Sequence, residues 1–516
     1  MNLILKSYNI DILKNYLFSF LNLAIRMSLN LIAIPILSNT PDILAIYSIC
    51  ISLGFFFRYS DFGFIAAGRK YAAEHVVSRN FNLQLSLLGN SYSISFLISL
   101  ILSVSLFFIS FTPEIIISDF ENNSQYSYIA SILLKTLSIS SIFQVFSNYI
   151  TSFFDVNLKK YYCDIVSICT GLVSLLVFLY IDQTNQDWIL KYYISLKALD
   201  LIALIVFIFL INKSFKIKLK EILINFRIKK NLIVKGLKLS LTSIITSACA
   251  FLFYELDNLF LAQKSDLNSI SFYSIAALAP FVLKTVFSLL YSPLSSIFNY
   301  LKNEKNRYGD YFRKIIIFYF PLTFTGIITI ILFSEELIFS YVGSTYVNSI
   351  WPFRYLCIAW SFSFIIYPTA IYLFSLEFNK RIILCGLIPP IVFWVSNFYH
   401  LEFQKNISIE TFCLNKMYSS LTILPLYIYY LIKDNMIDLK LIVKLLKSIL
   451  ISSLILTIFY YPLNHILFNE KNMLGLILNL LLIGGLIFTL KLIDLMVNRN
   501  QIDLMKILSK KTNSVI

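Results

Sequence analysis

Three ionisable residues interrupt an apolar stretch at 239–302: Glu255 and Asp257 in its first arm, and Lys284 in its second. A short polar turn separates the arms, so the stretch predicts a membrane hairpin. A charge at bilayer depth is costly, and such a side chain usually faces a protein interior or a water-filled cavity. Either Glu255 or Asp257 neutralises Lys284 in a structural ion pair, or these charges take part in transport. Since Glu255 and Asp257 are two residues apart, at most one of them is expected to face the same partner as Lys284.

Other apolar stretches also contain charges, and most of these charges are basic. The basic candidates for substrate binding are Arg26, Arg58, Lys135, Lys197, Lys284 and Lys416. The acidic candidates for ion coupling or charge pairing are Asp61, Asp200, Glu255 and Asp257. Arg58 with Asp61, and Lys197 with Asp200, are three residues apart on a helix and could pair locally. The pattern predicts a net cationic membrane interior.

Polar stripes indicate where some of these charges point. One face of the first apolar stretch carries Asn15, Ser19, Asn22, Arg26 and Asn30. Lys135 belongs to a similar polar stripe on the helix predicted at 127–150. Such stripes line a cavity or bind a neighbouring helix through hydrogen bonds. We favour a cavity for both, because neither helix contains an acidic partner. For an uncharged stripe, Ser86, Asn90 and Ser93, helix packing is the better interpretation.

The composition indicates a polytopic membrane protein. Of 516 residues, 58% are hydrophobic and 14% are charged, whereas soluble domains contain about 25% charged residues. Lipid cannot satisfy free backbone groups, so the spans must be helices. We predict an all-α protein of about 14 transmembrane helices. The predicted spans are 15–38, 43–66, 84–110, 127–150, 163–181, 189–211, 239–262, 270–301, 315–333, 352–374, 382–400, 411–432, 448–468 and 473–494.

The connections between spans alternate in charge. One set carries 31 of the 43 Lys and Arg residues, and the opposite set carries three. The positive-inside rule then predicts that both termini are cytoplasmic. The formal net charge of +15 is therefore mainly a topology signal, and we predict no nucleic-acid partner. The seven cysteines form no CxxC motif, so neither a disulfide framework nor a metal site is indicated.

The sequence indicates that the chain is organised as two lobes joined by a linker. The basic stretch 212–238 is the natural linker between an N-terminal lobe at 1–211 and a C-terminal lobe at 239–432, with the last two spans at 433–516. Its simplest interpretation is a solvated amphipathic connector on an anionic membrane surface. Weak repeats support the division, because FFDVNLKKYY (153–162) and FSLEFNKRII (374–383) both end a span with an Asn- and Lys-containing turn.

Three stretches resemble a known superfamily: RYSDFGFIAAGRK (58–70), YELDNLFLAQKSDLNSISFYSIAALAPFV (254–282) and IFSYVGSTYVNSIWPFRYLCIAW (338–360). They are similar to segments of the Wzx-type polysaccharide flippases of the MOP (multidrug/oligosaccharidyl-lipid/polysaccharide) superfamily. The resemblance implies two six-helix lobes around a cavity that opens alternately to each face of the bacterial inner membrane. The implied cargo is an undecaprenyl-pyrophosphate-linked oligosaccharide. Membrane lipids, a polymerase and a chain-length regulator are the other implied partners.

Several alternatives remain at this point. A lipid II flippase also handles a pyrophosphate lipid, and a cation-coupled multidrug exporter shares the superfamily. An O-antigen polymerase or membrane glycosyltransferase needs an external constellation of His, Arg and acid, which the longest external connections lack. We therefore predict a transporter and no enzyme. No GxxxxGK[ST] motif occurs, so we expect no nucleotide cofactor. Protonation of Glu255 or Asp257 is the hypothesis for coupling.

Overall fold

The regular elements of the chain are helices. The structure, a computed structural model, describes residues 2–59, 63–75, 80–118, 120, 124–181, 187–278, 280–283, 326–376, 378–404 and 407–464, with isolated positions at 309, 312–313, 316–317, 324 and 475. No strand occurs among these residues, which confirms the all-α prediction. The chain divides into two compact units, Met1–Ser271 and Phe272–Ile516. The lobe boundaries at 211, 238 and 432 stay a prediction.

Unit 1 contains ten labelled helices. They are α1 (Asn2–Leu37), α2 (Pro41–Tyr59), α3 (Phe64–Glu74), α4 (Phe81–Ile109), α5 (Ser124–Val156), α6 (Tyr161–Tyr180), α7 (Trp188–Phe215), α8 (Leu219–Asn225), α9 (Lys230–Tyr254) and α10 (Asp257–Lys264). The two most extensive helix–helix contacts in this unit join α4 to α5 and α1 to α6. Buried serines let α4 and α5 approach closely: the Ser103 hydroxyl donates to the Ser138 carbonyl at 2.8 Å.

Unit 2 contains seven further labelled helices. They are α11 (Ser334–Val342), α12 (Ile350–Ser361), α13 (Ser363–Ser375), α14 (Asn379–Gln404), α15 (Ile409–Leu421), α16 (Leu424–Lys433) and α17 (Leu439–Asn464). An ion pair joins three of them. Arg381 on α14 contacts the carboxylate of Asp434, the residue that follows α16, at 2.6 Å, and the Tyr372 hydroxyl on α13 donates to the same oxygen at 2.7 Å.

Seven helices among the described residues are long and apolar enough to cross a bilayer. They are Lys14–Leu37, Phe81–Ile109, Ser124–Val156, Tyr161–Tyr180, Trp188–Phe215, Ser344–Phe374 and Asn379–Phe403. A bent pair, Ile244–Tyr254 and Asp257–Lys264, makes an eighth candidate, and Pro41–Phe57 and Leu267–Leu283 are shorter apolar helices. Each lies within a predicted span or overlaps one. The count of 14 stays a prediction, because nearly all of span 14, most of span eight and part of span nine lie outside the described residues.

Two predicted spans are not continuous helices. Span two was expected at 43–66, but α2 ends at Tyr59 and α3 begins at Phe64, after Gly63 with a φ of 75°. A left-handed φ of this kind is strained for any residue with a Cβ atom, so glycine suits the interruption. Span seven was expected at 239–262, but its helix breaks between Tyr254 and Asp257 and bends by 43°. The apolar pattern continued across both breaks and did not reveal them.

The two proposed repeat turns share a backbone hydrogen-bond pattern. After α5, the Lys159 amide donates to the Phe154 carbonyl at 2.9 Å. After α13, the Phe378 amide donates to the Leu373 carbonyl at 3.0 Å. A bond that spans five residues closes a Schellman-type helix end. The same bond also follows the helix Leu424–Lys433, from the Met436 amide to the Leu431 carbonyl, so it does not single out these two turns and the repeat stays a prediction.

Candidate functional site

The most deeply buried of the described candidate cations is Lys416 on α15 in unit 2. The residue is 4% exposed, and its Nζ lies 5.3 Å from the ring centroid of Phe393 on α14. The electron-rich face of an aromatic ring attracts an ammonium, and this attraction is stronger where water is excluded. Burial of a charged group is costly without compensation. Lys416 therefore places its amino group beside an aromatic ring inside a helix bundle.

Amide groups flank this lysine. Asn415 Nδ2 donates to Asn397 Oδ1 at 2.9 Å, and both residues are buried. Phe393 and Asn397 are four residues apart and share one face of α14. Asn397 Nδ2 is buried and has no hydrogen-bond partner among the described groups. The helix α14, which packs against α15, thus also contains a buried hydrogen-bond donor, which suits an anionic or carbonyl oxygen.

Unit 1 contains a different polar cluster, centred on Asp164 of α6. Ser19 donates to one carboxylate oxygen at 2.6 Å and Asn22 donates to the other at 3.3 Å. Lys160 lies one helical turn away, with its Nζ 3.7 Å from the carboxylate. Asp164 is 3% exposed. The carboxylate is therefore compensated by an ammonium and by hydrogen bonds from α1.

The polar stripe of α1 is used for this helix contact. Asn15 donates to the Leu158 carbonyl and accepts from the Tyr161 amide, and Ser19 and Asn22 bind Asp164 as above. For this part of the stripe the preference for a cavity was wrong, and helix packing is the correct interpretation. The acidic partner was missing from the prediction because it lies on another helix.

Arg26 extends the same network by one turn. Its Nε donates to Asn22 Oδ1 at 3.2 Å, and the side chain is exposed. Its role in substrate binding stays a prediction. Sequence reasoning missed Asp164, although it lies in the first turn of predicted span five and four residues after Lys160. An acidic residue at the start of a membrane span could have identified Asp164 as a partner for the polar stripe of α1.

Two other candidate cations have identified neighbours. Lys197 Nζ lies 3.5 Å from Asp200 Oδ2 on α7, so the pairing that their spacing allowed is confirmed. Lys135 on α5 lies with its Nζ 4.5 Å from the ring centroid of Phe111. Phe111 follows the end of α4, so Lys135 points towards the end of that helix.

Glu255 and Asp257 flank the break between α9 and α10. Glu255 is the residue after α9, and Asp257 begins α10 and is 3% exposed. The next residue fixes α10 in place, because Asn258 Nδ2 donates to Ser52 Oγ on α2. The positive end of a helix dipole stabilises a carboxylate in the first helical turn. The two acids therefore occupy a helix break and not the faces of one continuous helix.

Three predicted site residues cannot be placed. Asp61 and Lys284 lie outside the described residues, and so does the side chain of Arg58. The predicted pairing of Lys284 with Glu255 or Asp257 therefore stays a prediction, as does the pairing of Arg58 with Asp61.

Sequence reasoning also missed a buried carboxyl group on α11. Glu336 is 3% exposed, and it lies outside all of the predicted spans. Its Oε1 accepts from the Tyr460 hydroxyl at 3.2 Å, and its Oε2 has no hydrogen-bond partner among the described residues. Burial raises the pKa of the Glu336 carboxyl above its ordinary value, while the Tyr460 hydrogen bond and Arg354 oppose this shift. The polar composition of 334–351 gave no sign of this burial.

Comparison with known proteins relates the fold to membrane transporters. No family model and no curated protein matches the sequence. A lipid II flippase, MurJ, in an inward closed conformation superposes with a TM-score of 0.59 and 14% identity, over 91% of this chain and 100% of that chain. An inward-facing multidrug resistance MATE-family transporter of the MOP superfamily matches with a TM-score of 0.57 and 13% identity, over 81% of this chain and 98% of that chain.

A third solved structure agrees with these two. A MOP-superfamily transporter from Pyrococcus furiosus matches with a TM-score of 0.52 and 13% identity, over 82% of this chain and 95% of that chain. At such identities the similarity concerns the fold. The chain has the fold of the MOP-superfamily transporters.

Proposed function

We propose that this protein is a flippase that carries an undecaprenyl-pyrophosphate-linked oligosaccharide, an O-antigen or capsule repeat unit, across the bacterial inner membrane by alternating access. The observation that carries the proposal is the similarity of nearly the whole chain to a flippase of a pyrophosphate lipid. The relatives with this fold are transporters, which supports a transport function over a polymerase or glycosyltransferase.

The excess of basic residues in the membrane helices supports an anionic cargo. Lys416 is buried in unit 2, and Arg26 lies on the exposed side of α1 in unit 1. Ammonium and guanidinium groups form strong charge-assisted hydrogen bonds with phosphate oxygens. We assign Lys416 in unit 2 and Arg26 in unit 1, each taken separately, as candidate contacts for the pyrophosphate, with Lys135 and Lys284 as further candidates. Lys197 is paired with Asp200 and is a weaker candidate.

A clean deletion tests the biological assignment. Loss of long-chain surface polysaccharide, restored by the wild-type gene, is the expected result. Normal polysaccharide in the deletion strain would contradict the proposal. The same hypothesis includes binding of this protein to a polymerase and to a chain-length regulator.

A transport assay tests the role of Lys416. In proteoliposomes, Lys416→Met should lower flipping of a fluorescent polyprenyl-pyrophosphate saccharide roughly tenfold, because a charge-assisted contact is lost. Lys433→Met is the matched control, since Lys433 is exposed and its Nζ lies 5.7 Å from the ring centroid of Tyr429. Equal loss in both variants, or none in Lys416→Met, would exclude Lys416 from the cargo site.

The same assay tests Arg26 on unit 1. Arg26→Gln should lower flipping while leaving the amount of folded protein unchanged. Lys14→Gln is the control on the same helix, since Lys14 is also exposed. A fall in folded protein that accounts for the fall in flipping would assign Arg26 to the structure of α1 and α6.

A lipid II flippase is the second candidate, favoured by the similarity to MurJ. The two cargoes differ in their saccharide, so the assay should compare lipid II with an O-antigen-type lipid. Flipping of lipid II alone, or loss of viability on depletion with intact surface polysaccharide, would favour the second candidate. Export of a cationic drug is the expected result for a multidrug exporter, but the basic interior repels such a cargo.

Ion coupling is assigned to Glu255 and Asp257. Both lie at the break between α9 and α10, where a change in helix geometry could accompany protonation. The test compares flipping under an imposed pH gradient in the wild type, Glu255→Gln and Asp257→Asn. If the gradient has no effect on the wild type, or the same effect on all three proteins, the coupling assignment fails.

A further inference from the structure

The segment that follows α7 is fixed to unit 1. Lys216, directly after α7, has a φ of 61° and turns the chain sharply. Ile217 and Ile222 are then buried, at 3% and 2% exposure, in the core that also contains Ile211 of α7. The sequence predicted that this segment is a solvated amphipathic connector on an anionic membrane surface, and the packing of its inner face was not foreseen. One face of α8 is held against the helix bundle by apolar packing.

The far end of the segment is also anchored. The ring of Phe226 stacks on Phe146 with centroids 4.6 Å apart and contacts Tyr149 at 5.4 Å. The Lys229 amide donates to Asn90 Oδ1 at 2.6 Å, and Lys229 Nζ donates to Ser86 Oγ. Ser86 and Asn90 of the uncharged stripe of α4 therefore bind Lys229, directly before α9, while Ser93 donates to the Gly89 carbonyl of its own helix. Anchors at both ends hold the opposite face of α8 outward.

The outward face combines apolar side chains with positive charge. The exposed apolar residues are Leu219 (48%), Leu223 (52%), Ile224 (51%) and Ile228 (46%). The exposed cations around them are Lys213, Lys216, Lys218, Lys220, Arg227 and Lys230. Glu221 is the only acidic residue between 213 and 230. We call the residues named in this paragraph, without Glu221, the linker patch.

We propose that the linker patch binds the headgroups of anionic phospholipids at the membrane surface. The patch begins within the last turn of α7, a helix long and apolar enough to cross the bilayer, so it lies at the depth of the headgroups. A helix with apolar and basic side chains on its outer face inserts its apolar groups at the acyl boundary. Its lysines then meet lipid phosphates, whose charge is complementary.

The membrane surface is favoured over a protein partner by this position and by the charge. The α8 helix is short and follows a membrane span after a sharp turn at Lys216, and its apolar side chains are interspersed with lysines. A lipid surface satisfies both kinds of side chain at once. The inference concerns the membrane surface and does not depend on the identity of the transported cargo.

The test measures binding of a fluorescent phosphatidylglycerol to the full-length protein in neutral detergent micelles, with fluorescent phosphatidylcholine as the comparison. The wild type should bind phosphatidylglycerol about tenfold more tightly. A variant with Lys213, Lys218, Lys220 and Arg227 changed to Gln should lose this preference. The control changes four exposed lysines elsewhere, Lys14, Lys433, Lys440 and Lys447, to Gln and should keep it.

Further arms distinguish the outcomes. Glycerophosphate should compete weakly, because the apolar residues require an acyl boundary, and effective competition would indicate a site for free phosphate. If the fourfold variant does not fold, Leu223→Ser with Ile224→Ser should weaken lipid binding while keeping the charges. The proposal is overturned if either folded patch variant retains the wild-type preference. It is also overturned if the amides of 219–228 exchange with deuterium equally fast in phosphatidylcholine nanodiscs with and without phosphatidylglycerol, as expected for a patch that binds a protein.

Discussion

The two units each bury a carboxyl group, but they surround it differently. Asp164 in unit 1 accepts hydrogen bonds at both oxygens, from Ser19 and Asn22, and has Lys160 one turn away. Glu336 in unit 2 accepts from Tyr460 at one oxygen, while the other has no hydrogen-bond partner among the described residues. Both residues are 3% exposed. Equal burial therefore does not mean equal electrostatic compensation.

The difference separates a structural charge from a group that responds to pH. Where donors and an ammonium surround a carboxylate, the hydrogen bonds and the ion pair join two helices. Where burial exceeds the available compensation, the neutral form is favoured. Asp164 is therefore expected to hold α6 to α1, and Glu336 is expected to exchange a proton as conditions change.

The largest expected effect is the loss of Asp164. Asp164→Ala removes the acceptor for Ser19 and Asn22 and leaves Lys160 without its partner. The free energy of unfolding should fall by roughly 2 kcal/mol, because partly buried donors lose their hydrogen bonds. Thermal unfolding in detergent measures this change. Asp164→Asn keeps one acceptor and should cost less, so an equally large loss in both variants would show that the charge matters more than the hydrogen bonds.

The second prediction concerns pH and Glu336. Because its pKa is raised in the folded state, the folded protein binds this proton more tightly than the unfolded chain does. The contribution to stability is present in full below the ordinary pKa of 4.5 and is lost as the pH rises through the raised value.

Glu336→Gln should therefore remove this part of the pH dependence. Thermal unfolding of wild type and variant across acidic to neutral pH makes the comparison. Parallel curves would show that Glu336 does not titrate in this range. The neighbouring ionisable groups are Glu335, Arg354 and Tyr460, so Glu335→Gln serves as the control for a general loss of charge.

A smaller effect is expected from Tyr460→Phe. The variant loses one hydrogen bond to Glu336, worth about 1 kcal/mol. Since this bond favours the ionised carboxylate, its loss should raise the pKa of Glu336 further and extend the pH-dependent range upward. Double-mutant analysis with Glu336→Gln checks the assignment, because the two effects should not be additive. Additive effects would place Tyr460 outside this interaction.

The smallest effect is expected at Asp200. Its side chain is 60% exposed, and its pair with Lys197 is within one turn of α7. Exposed pairs of this kind contribute little, so Asp200→Asn should change the unfolding free energy by less than about 0.5 kcal/mol. If Asp200→Asn lowered the unfolding free energy as much as Asp164→Ala, then the exposed and the buried ion pair would be equally stabilising. That result would contradict the contrast between buried and exposed carboxylates.

Local properties of the sequence determined the class of the protein. Runs of apolar residues require helices in lipid, since the backbone must satisfy its own hydrogen bonds. The described spans accordingly lie at or overlap their predicted positions. The pair of Lys197 and Asp200 was also predictable, because residues three apart on a helix are neighbours whatever the tertiary structure.

Contacts between distant parts of the chain were decided only by the tertiary structure. The partner of the α1 stripe lies 145 residues from Ser19, and the docking of Lys229 joins residues 139 apart. The break at Glu255 and the burial of Glu336 also depend on packing, which no local period encodes. A sequence shows which side chains are costly to bury, but only packed helices show which groups offset that cost.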